Sequence, residues 1–524
     1  FLGGRDATWL AIGASIFASN IGSEHLIGLA GAGASSGMAM ADWEIQGWMI
    51  LILGWVFVPF YTRSMVYTMP EFLERRYNPQ SRTILSVISL VSYVLTKVAV
   101  TVYAGGLVFQ QVFGIKELWG IDFFWIAAIG LVVLTALYTI FGGMKSVLYT
   151  SVLQTPILLL GSLIILVLGF KELGGWDEMM RVCGAVTVND YGDTMTNLIR
   201  SNDDANFPWL GALIGSAIIG FWYWCTDQFI VQRVLSGKNE MEARRGTIFG
   251  AYLKLTPVFL FLIPGMVAFA MQKHGITVNG ETFTMSSADA AFPTLVAKLL
   301  PAGFKGLVVC GILAALMSSL ASLFNSSAML FTIDFYKKYR PKASEKTLLY
   351  VGRVATVVVV VLGILWIPVM KSVGSVLYNY LQDVQSVLAP GIAAAFLLGI
   401  CSKKATPKGG MWGLIAGFII GITRLGAKVY YTSGATFSDS WFKYLFYDTN
   451  WLFFCGGMLL FCMLVIVVVS RFTKPAPAEQ IVGLTFGSTT DEQKAVTRAS
   501  WNKWDVIHSA IIILITVVFY WYFW

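Results

Sequence analysis

Long apolar segments recur along the whole chain and are separated by shorter polar stretches. Each is close to or longer than the ~20 residues that an α-helix needs to cross ~30 Å of hydrocarbon. Their recurrence predicts an all-α integral membrane protein rather than a soluble body with one anchor. The thirteen predicted spans are 9–33, 45–66, 83–113, 122–141, 147–170, 209–231, 246–272, 302–333, 349–370, 374–400, 410–433, 449–470 and 504–524.

The composition agrees with this pattern. Of the 524 residues, 56% are hydrophobic and 13% are charged, and the mean hydropathy is +0.70. Soluble domains do not show this balance. Because the chain starts at Phe1 rather than at a methionine, we expect a trimmed segment upstream and fourteen spans in the complete chain.

The distribution of charge predicts the orientation. A net charge of +8 suggests a nucleic-acid partner in a soluble protein, but here most of the Lys and Arg residues fall on alternate loops, as the positive-inside rule requires of cytoplasmic loops. We therefore expect a multi-pass protein of the plasma (inner) membrane, with Phe1 cytoplasmic and Trp524 extracellular or periplasmic. Clusters on the predicted inner loops include Arg75, Arg76, Arg82, Arg233, Lys238, Arg244, Arg245, Lys337, Lys338 and Arg340.

A polar loop at 171–208 divides the first ten spans into two sets of five. Since five is odd, the second set enters the membrane from the opposite side, which is the topology of an inverted repeat. The predicted units are a first five-helix repeat at 9–170, an inverted repeat at 209–400, and accessory helices at 401–524. The accessory part contains a cytoplasmic linker at 471–503.

The first helix of each repeat carries polar residues in mid-span. The first contains Asn20, Ser23, Glu24 and His25, and the second contains Asp227. We expect both helices to be discontinuous, because folds of this type place substrate and ion sites where those helices are interrupted. An interrupted helix frees carbonyl oxygens, which a bound cation can satisfy.

The eighth span carries a stripe of small polar residues. Ser318, Ser322 and Asn325 share one helix face, and Ser319 is adjacent. Such a stripe is typical of close helix packing. Hard cations, however, prefer several oxygen ligands, and two neighbouring hydroxyls together with freed carbonyls supply them.

Three further ionisable residues fall within spans, and such residues mark functional sites by default. They are Glu44, Lys97 and Lys254. For Glu44 and Lys97 the alternative is a position near a helix end from which the charge reaches the headgroups.

Five segments together resemble the solute:sodium symporter family, and within it the sodium/glucose cotransporter branch in its bacterial type of sodium/sugar symporter. The resemblance covers essentially the whole chain, in order. The segments are IGASIFASNIGSEHLIGLAGAGASSG, LYTIFGGMKSVLYT, FWYWCTDQFIVQRVLSGKN, YLKLTPVFLFLIPGM and LMSSLASLFNSSAMLFTIDFY.

This resemblance implies a five-plus-five inverted-repeat transporter fold and a set of site residues. Sodium, the coupling ion, would be bound by the carbonyls of Ala18, Ile21 and Ala315 and the hydroxyls of Ser318 and Ser319. The sugar would contact Asn20, His25, Glu44, Tyr223, Trp224, Lys254 and Gln382. Leu29, Trp43 and Tyr378 would close the outer side of the pocket, and Tyr223 the inner side.

The chain departs from the family pattern at two positions. Gly220 stands where sugar transporters of the family commonly have a polar residue, so one hydroxyl contact is absent or replaced by water. Ser151 stands where members that use two sodium ions have an aspartate. We therefore expect one sodium ion per sugar.

The resulting prediction is sodium-coupled symport of a glucose- or galactose-like hexose by alternating access. Mannose, fructose, myo-inositol and other polyols remain open as substrates, and the oligomeric state is open too. A sugar sensor that has lost transport, and a proton-coupled carrier that uses Glu24 and His25, are the alternatives. An enzyme is disfavoured, because no nucleophile, base and orienting group fall at a recognisable spacing.

Overall fold

A computed structural model describes the backbone of residues 5–22, 24–373, 377–432 and 440–524. Within these ranges it describes all side chains except those of 111, 138, 140–155, 158 and 370–373. Ser23 and the side chain of Ser151, both used in the sequence interpretation, lie outside the described residues.

The first part of the chain consists of helices that are repeatedly interrupted by short π-helical segments. These segments, at Glu24–Leu29, Leu53–Phe57 and Tyr93–Val98, bend the helices without ending the span. The helices are α1 (Trp9–Asn20), α2 (Ala30–Ser36), α3 (Ala41–Glu44), α4 (Gly47–Ile52), α5 (Val58–Ser64), α6 (Met69–Arg76), α7 (Pro79–Ser92), α8 (Ala99–Phe113), α9 (Phe123–Leu173) and α10 (Trp176–Gly184).

The second part repeats this style, with π-helical segments at Phe221–Thr226, Val258–Leu262 and Leu330–Tyr336. Its helices are α11 (Trp209–Gly220), α12 (Gln228–Leu235), α13 (Glu240–Lys254), α14 (Ile263–His274), α15 (Ala291–Leu299), α16 (Ala302–Met329), α17 (Lys337–Tyr339), α18 (Glu345–Val373) and α19 (Leu377–Cys401).

The last part contains the accessory helices. They are α20 (Pro407–Thr432), α21 (Trp441–Lys443), α22 (Trp451–Arg471), α23 (Asp491–Ala499) and α24 (Lys503–Tyr522). The predicted linker therefore contains α23, which Thr490 and Gln493 begin with a reciprocal capping box. The strands of the described residues form two antiparallel hairpins, β1 (Glu117–Leu118) with β2 (Ile121–Asp122) and β3 (Thr277–Val278) with β4 (Glu281–Thr282).

The all-α membrane architecture is confirmed. Helical segments lie at all thirteen predicted spans. Of the described helices, ten are long and apolar enough to cross a membrane, or eleven if Leu159–Leu173 and Trp176–Gly184, which meet at 73°, count as one span. The apolar helices at Trp9–Asn20 and Phe123–Leu137 are shorter.

Two details of the sequence interpretation are wrong. A loop was expected between 141 and 147, but the backbone of α9 is helical there, since a glycine inside a helix costs only about 1 kcal/mol. Arg76, Arg233 and Arg244 were assigned to inner loops, but they lie in α6, α12 and α13 and are fully buried. Arg76 reaches the carbonyls of Gly399, Ser402 and Ala405 at the end of α19, so this charge ties two elements together rather than facing solvent.

The interrupted first span lies at the centre of the bundle. Helix α1 packs against α9, α13 and α16, and α2 crosses α14. At that crossing a Cβ on Gly33 would lie 2.2 Å from the Leu262 carbonyl oxygen, and one on Gly265 would lie 2.0 Å from that of Ala30. Glycine at both positions therefore permits the close contact that holds the second half of the broken span in place.

Candidate substrate cavity and cation site

The first span is interrupted where its polar residues begin. Helix α1 ends at Asn20, and Ile21 adopts an extended backbone with φ −76° and ψ 95°. The Ile21 N–H still donates to the Phe17 carbonyl oxygen at 2.8 Å, and helical structure resumes at Glu24 as a π-helix. The predicted discontinuity is confirmed.

The corresponding helix of the second half is interrupted in the same way. Helix α11 passes into the π-helical segment Phe221–Thr226, and Asp227, with ψ 128°, stands between that segment and α12. The Asp227 carboxylate accepts the Phe229 N–H at 3.2 Å and so caps α12. Both first helices are therefore discontinuous.

Serines of the eighth span lie against the first interruption. The Ser319 hydroxyl donates to the Ser19 carbonyl oxygen at 3.1 Å, and the hydroxyl oxygens of Ser19 and Ser322 are 3.1 Å apart. A Cβ built on Gly22 would lie 2.8 Å from the Ser319 hydroxyl oxygen. The two segments that the sequence predicts to share a cation are in direct contact.

The residues predicted to bind sodium lie on these two segments. All are buried: Ala18, Ile21, Ala315, Ser318 and Ser319. Within the described parts of the chain, no group of three or more His, Cys, Asp or Glu side chains is placed to hold a metal ion. The oxygen atoms available to a cation at this place are therefore those of main-chain carbonyls and side-chain hydroxyls, with one neighbouring carboxylate.

That carboxylate belongs to Glu24, which the sodium set implied by the resemblance does not include. The same built Cβ on Gly22 would lie 2.6 Å from the Glu24 Oε2 atom, so the carboxylate and the Ser319 hydroxyl approach one point of the chain. A negative charge this close favours a bound cation.

Sequence reasoning missed Arg233. Its guanidinium donates to the Ser19 hydroxyl at 2.9 Å, and also to the Ser322 hydroxyl and the Phe229 carbonyl. Arg233 thereby links α1, α12 and α16 beside the candidate cation site. The signal was present in QFIVQRVL, an arginine two residues beyond a predicted span, but proximity to a loop made it look exposed.

A cavity of about 400 Å³, a volume that includes space open to solvent, adjoins the interruption. All seven predicted sugar contacts line it, together with Trp43 and Tyr378 of the predicted outer gate. Leu29, the remaining gate residue, is fully buried but is absent from the walls formed by the described residues. Glu24 and Gly220, both singled out in the sequence, also line it, and the lining residues that sequence reasoning missed are Gln46, Ile219, Leu381 and Gln385.

Glu44 is the hub of the cavity. Its carboxylate accepts hydrogen bonds from the Tyr378 hydroxyl at 2.6 Å and from the Lys254 ammonium at 2.5 Å. The His25 Nε2 atom lies 3.1 Å from it. Glu44 and Lys254 are both buried, so this charged pair connects α3 and α13 inside the protein and does not reach the headgroups. Tyr378 extends the connection to α19.

The geometry selects a tautomer for His25. The Asn20 amide nitrogen and the Glu44 carboxylate both approach His25 Nε2, at 3.3 and 3.1 Å. One nitrogen cannot accept from an amide and donate to a carboxylate at once, and the charged acceptor is stronger. Of the two neutral tautomers, the one with the proton on Nε2 fits this arrangement, and the doubly protonated ring donates to Glu44 in the same way.

Three lining residues carry buried polar atoms that have no hydrogen-bond partner among the described residues. They are His25 Nδ1, the acceptor Gln382 Oε1 and the donor Trp43 Nε1. Each unsatisfied group costs roughly 1–3 kcal/mol. A hydroxyl both donates and accepts, so a ligand rich in hydroxyls satisfies all three.

Two of the aromatic lining residues, Trp43 and Tyr223, contact further side chains behind the cavity wall. Trp43 stacks on Trp451 with ring centroids 5.5 Å apart, and Phe207 meets the Trp43 ring edge-on. On another side, the Lys97 ammonium lies 4.6 Å from the centroid of the Tyr223 ring.

Lys97 is itself buried and forms an ion pair with Asp227. Tyr93 donates to the same carboxylate at 2.8 Å. The helix-end alternative considered for Lys97 is therefore wrong, because the ammonium is paired inside the protein and not in contact with headgroups.

At Gly220, where the sequence predicts the loss of one hydroxyl contact, another side chain fills the space. A Cβ at Gly220 would lie 2.3 Å from the Gln46 Oε1 atom. The Gln46 amide group donates to the Ser216 carbonyl at 3.0 Å, which fixes it in the cavity wall. The Gln46 amide, from the turn between α3 and α4, thus occupies the place left by the missing side chain.

A family model described as the sodium:solute symporter family matches residues 1–417. The chain belongs to this family. The symporter is 40% identical to the sodium/glucose cotransporter 1 of Ovis aries over 91% of this chain and 74% of that protein. It is 37% identical to the sodium/myo-inositol cotransporter of Homo sapiens over 97% of this chain and 76% of that protein.

Solved structures show the same fold. The symporter superposes on a Na⁺-coupled sialic acid symporter with a TM-score of 0.70 at 22% identity, covering 91% of this chain and 92% of that one. For MhsT in complex with L-phenylalanine the TM-score is 0.51 at 12% identity, with 88% and 99% covered. The protein is a secondary transporter of the membrane and not an enzyme, and sodium is its coupling ion.

Proposed function

We propose that this symporter couples the entry of sodium to that of a monosaccharide, a glucose- or galactose-like hexose. The observation that carries the proposal is the set of unsatisfied donors and acceptors on the cavity wall, at His25, Gln382 and Trp43. They suit a small ligand that presents several hydroxyls. Relatives whose names include glucose and myo-inositol support the same class of substrate.

The proposed sugar contacts combine polar and aromatic groups. Asn20, His25, Glu44, Lys254 and Gln382 exchange hydrogen bonds with ring hydroxyls, and Tyr223 and Trp224 pack against the C–H face of the pyranose. The Lys254 ammonium lies 5.3 Å from the Trp224 ring centroid, which keeps the polar and aromatic parts of the site adjacent.

The proposed sodium site uses the Ala18, Ile21 and Ala315 carbonyls and the Ser318 and Ser319 hydroxyls. Sodium bound there bridges the interrupted first span and α16. Bridging favours one arrangement of these segments, and since Asn20 and His25 flank the interruption, the same arrangement forms the sugar cavity. Each ligand then shifts one equilibrium toward the state that binds the other.

One sodium per sugar supplies enough energy. A tenfold gradient is worth about 1.4 kcal/mol, and one charge crossing ~100 mV about 2.3 kcal/mol. The total of roughly 3.7 kcal/mol sustains a several-hundredfold accumulation of sugar. We propose this stoichiometry on that basis and on the serine at position 151.

The proposed membrane arrangement places Phe1 in the cytoplasm and Trp524 on the other side. Residues 9–170 and 209–400 are the two inverted repeats, and 401–524 are accessory. Trp43, Tyr378 and Leu29 then close the cavity from outside, and Tyr223 closes it from inside.

Uptake by proteoliposomes tests the proposal. A panel of labelled glucose, galactose, mannose, fructose and myo-inositol is offered with an inward sodium gradient and with potassium in its place. We expect sodium-dependent accumulation of glucose or galactose. Accumulation of mannose, fructose or myo-inositol instead would show that this compound, and not glucose or galactose, is the substrate. Sugar binding without uptake or counterflow would identify a sensor. Uptake driven by acid pH without sodium would contradict sodium coupling.

A further inference from the structure

A second cavity, of about 640 Å³ including its open mouth, shares no lining residue with the sugar site. One wall is the end of the second span, with Trp55, Phe60 and Arg63. The other is the segment after α22, with Lys494 and Arg498 on α23 and Trp501 beyond it. The cavity therefore joins the transport helices to the linker.

The walls of this cavity are cationic. Arg63, Lys494 and Arg498 line it, and none of the described lining residues is acidic. The acidic groups close by are already engaged. Asp491 pairs with Lys494 at 2.9 Å on the exposed side, and Glu240 pairs with Arg244 at 2.8 Å.

Arg63 points to a missing ligand. Its Nε and Nη1 atoms are buried and have no hydrogen-bond partner in the described part of the chain. A guanidinium with unsatisfied donors is costly, and the cost falls when an anion accepts from it.

Aromatic rings hold the two arginines in place. The Arg498 guanidinium lies 4.0 Å from the centroid of the Trp501 ring, and that of Arg63 lies 4.9 Å from the Phe60 ring. Trp55 meets Trp501 edge-on at 5.3 Å. The Arg498 Nη1 atom also donates to the Trp501 carbonyl oxygen at 3.4 Å, and a stacked guanidinium presents its remaining N–H groups to a planar or tetrahedral oxyanion.

We propose that this cavity binds a phosphate-bearing ligand. Arg63 and Arg498 bind the phosphate oxygens, and Trp55 and Trp501 pack against the body of the ligand. The phosphate comes either from the headgroup of an anionic lipid, for which basic pockets beside membrane helices are suited, or from a soluble organic phosphate. A bound ligand bridges the second span and α23 and stabilises their contact.

Binding to the purified full chain tests this inference, in buffer without sodium and sugar so that the result is independent of the proposed transport activity. The soluble probes are inorganic phosphate and phenyl phosphate, which carries no sugar, and their binding is followed by titration calorimetry and by the shift in melting temperature. The lipid probe is a nanodisc of phosphatidylcholine with or without phosphatidylglycerol. Binding of a soluble probe assigns a soluble phosphate, and stabilisation by phosphatidylglycerol alone assigns a lipid headgroup.

Arg63→Gln and Arg498→Gln should each weaken the binding about tenfold, the loss expected for one charged hydrogen-bonding partner, and Arg63→Lys should weaken it less. Arg498 is exposed, so its replacement does not endanger folding. Lys346→Gln, at another exposed cation, is the matched control and should change nothing. Absence of binding for all probes, or equal binding by the double variant Arg63→Gln, Arg498→Gln and by the control, would overturn the inference.

Discussion

The Ser319 hydroxyl donates a hydrogen bond to the main-chain carbonyl oxygen of Ser19, 3.1 Å away. This bond joins the eighth span to the last turn of α1, one residue before the helix ends at Asn20. Hydroxyls and carbonyls at an interrupted helix are the oxygens that a sodium ion takes as ligands. The proposed coupling of sodium to sugar begins at this contact.

Ser319→Ala should weaken sodium activation of uptake. Removing one oxygen ligand should raise the sodium concentration for half-maximal uptake roughly 10- to 100-fold, from a loss of about 1.5–3 kcal/mol. Ser327→Ala makes the same change in the same helix, at a buried hydroxyl without a partner among the described residues, and should leave sodium activation unchanged. Equal curves for the two variants would remove Ser319 from the ion site.

Glu24→Gln should also lower sodium affinity, because it removes the carboxylate beside Gly22 and Ser319. We expect about a tenfold effect, read from sodium titrations of uptake at saturating sugar. Glu479→Gln, at an exposed carboxylate of the linker, is the control. If Glu24→Gln instead abolishes an uptake that acid pH drives without sodium, Glu24 is a proton carrier.

Gln382→Ala should weaken sugar binding and leave sodium binding intact. The Gln382 Oε1 atom lines the cavity without a partner in the described residues, so the loss should appear as a roughly tenfold higher KM for the sugar. Asn379→Ala, which removes an amide from the same helix outside the cavity wall, is the control and should leave the KM for the sugar unchanged. A parallel loss of sodium affinity in Gln382→Ala would contradict the separation of the two sites.

Lys254→Met should destabilise the protein by about 3–5 kcal/mol, because it leaves the buried Glu44 carboxylate without its cation. The double variant Glu44→Gln, Lys254→Met should recover much of this stability while transport stays lost. Thermal unfolding in detergent measures the first effect and sugar uptake the second. A Lys254→Met protein as stable as the wild type would show that the pair is not coupled.

Gly220→Ala should raise the KM for the sugar, because the added Cβ would lie 2.3 Å from Gln46 Oε1 and push that amide out of the cavity wall. Gly426→Ala, where a Cβ would meet nothing within 4 Å, controls for the effect of alanine on helix stability. Unchanged sugar affinity in Gly220→Ala would exclude Gln46 from the site.

The membrane architecture could be predicted from the sequence because each span must be long enough to cross the lipid and must satisfy its backbone hydrogen bonds internally, as a helix does. It also located both interruptions, since polar residues such as Asn20 and Asp227 stand out within apolar helices. The clustering of the seven sugar contacts around one cavity followed from the family resemblance and not from spacing.

What the sequence did not provide were contacts between distant segments. Nothing local distinguishes the fully buried Arg233 from an arginine on a cytoplasmic loop, because its partners Ser19 and Ser322 are distant along the chain. Gln46 likewise enters the cavity only because Gly220, on another helix, leaves room for it. The helical backbone across 141–147 was missed because paired glycines are typical of loops, although a helix also tolerates them.

The most direct test of the central claim measures linkage. Sodium affinity of the purified protein is determined by titration calorimetry with and without saturating glucose or galactose, and sugar affinity with and without sodium. If occupancy of the interrupted helix prepares the sugar cavity, each ligand must strengthen the other by the same factor, and we expect about tenfold or more. Sodium and sugar affinities that do not depend on each other would contradict the account.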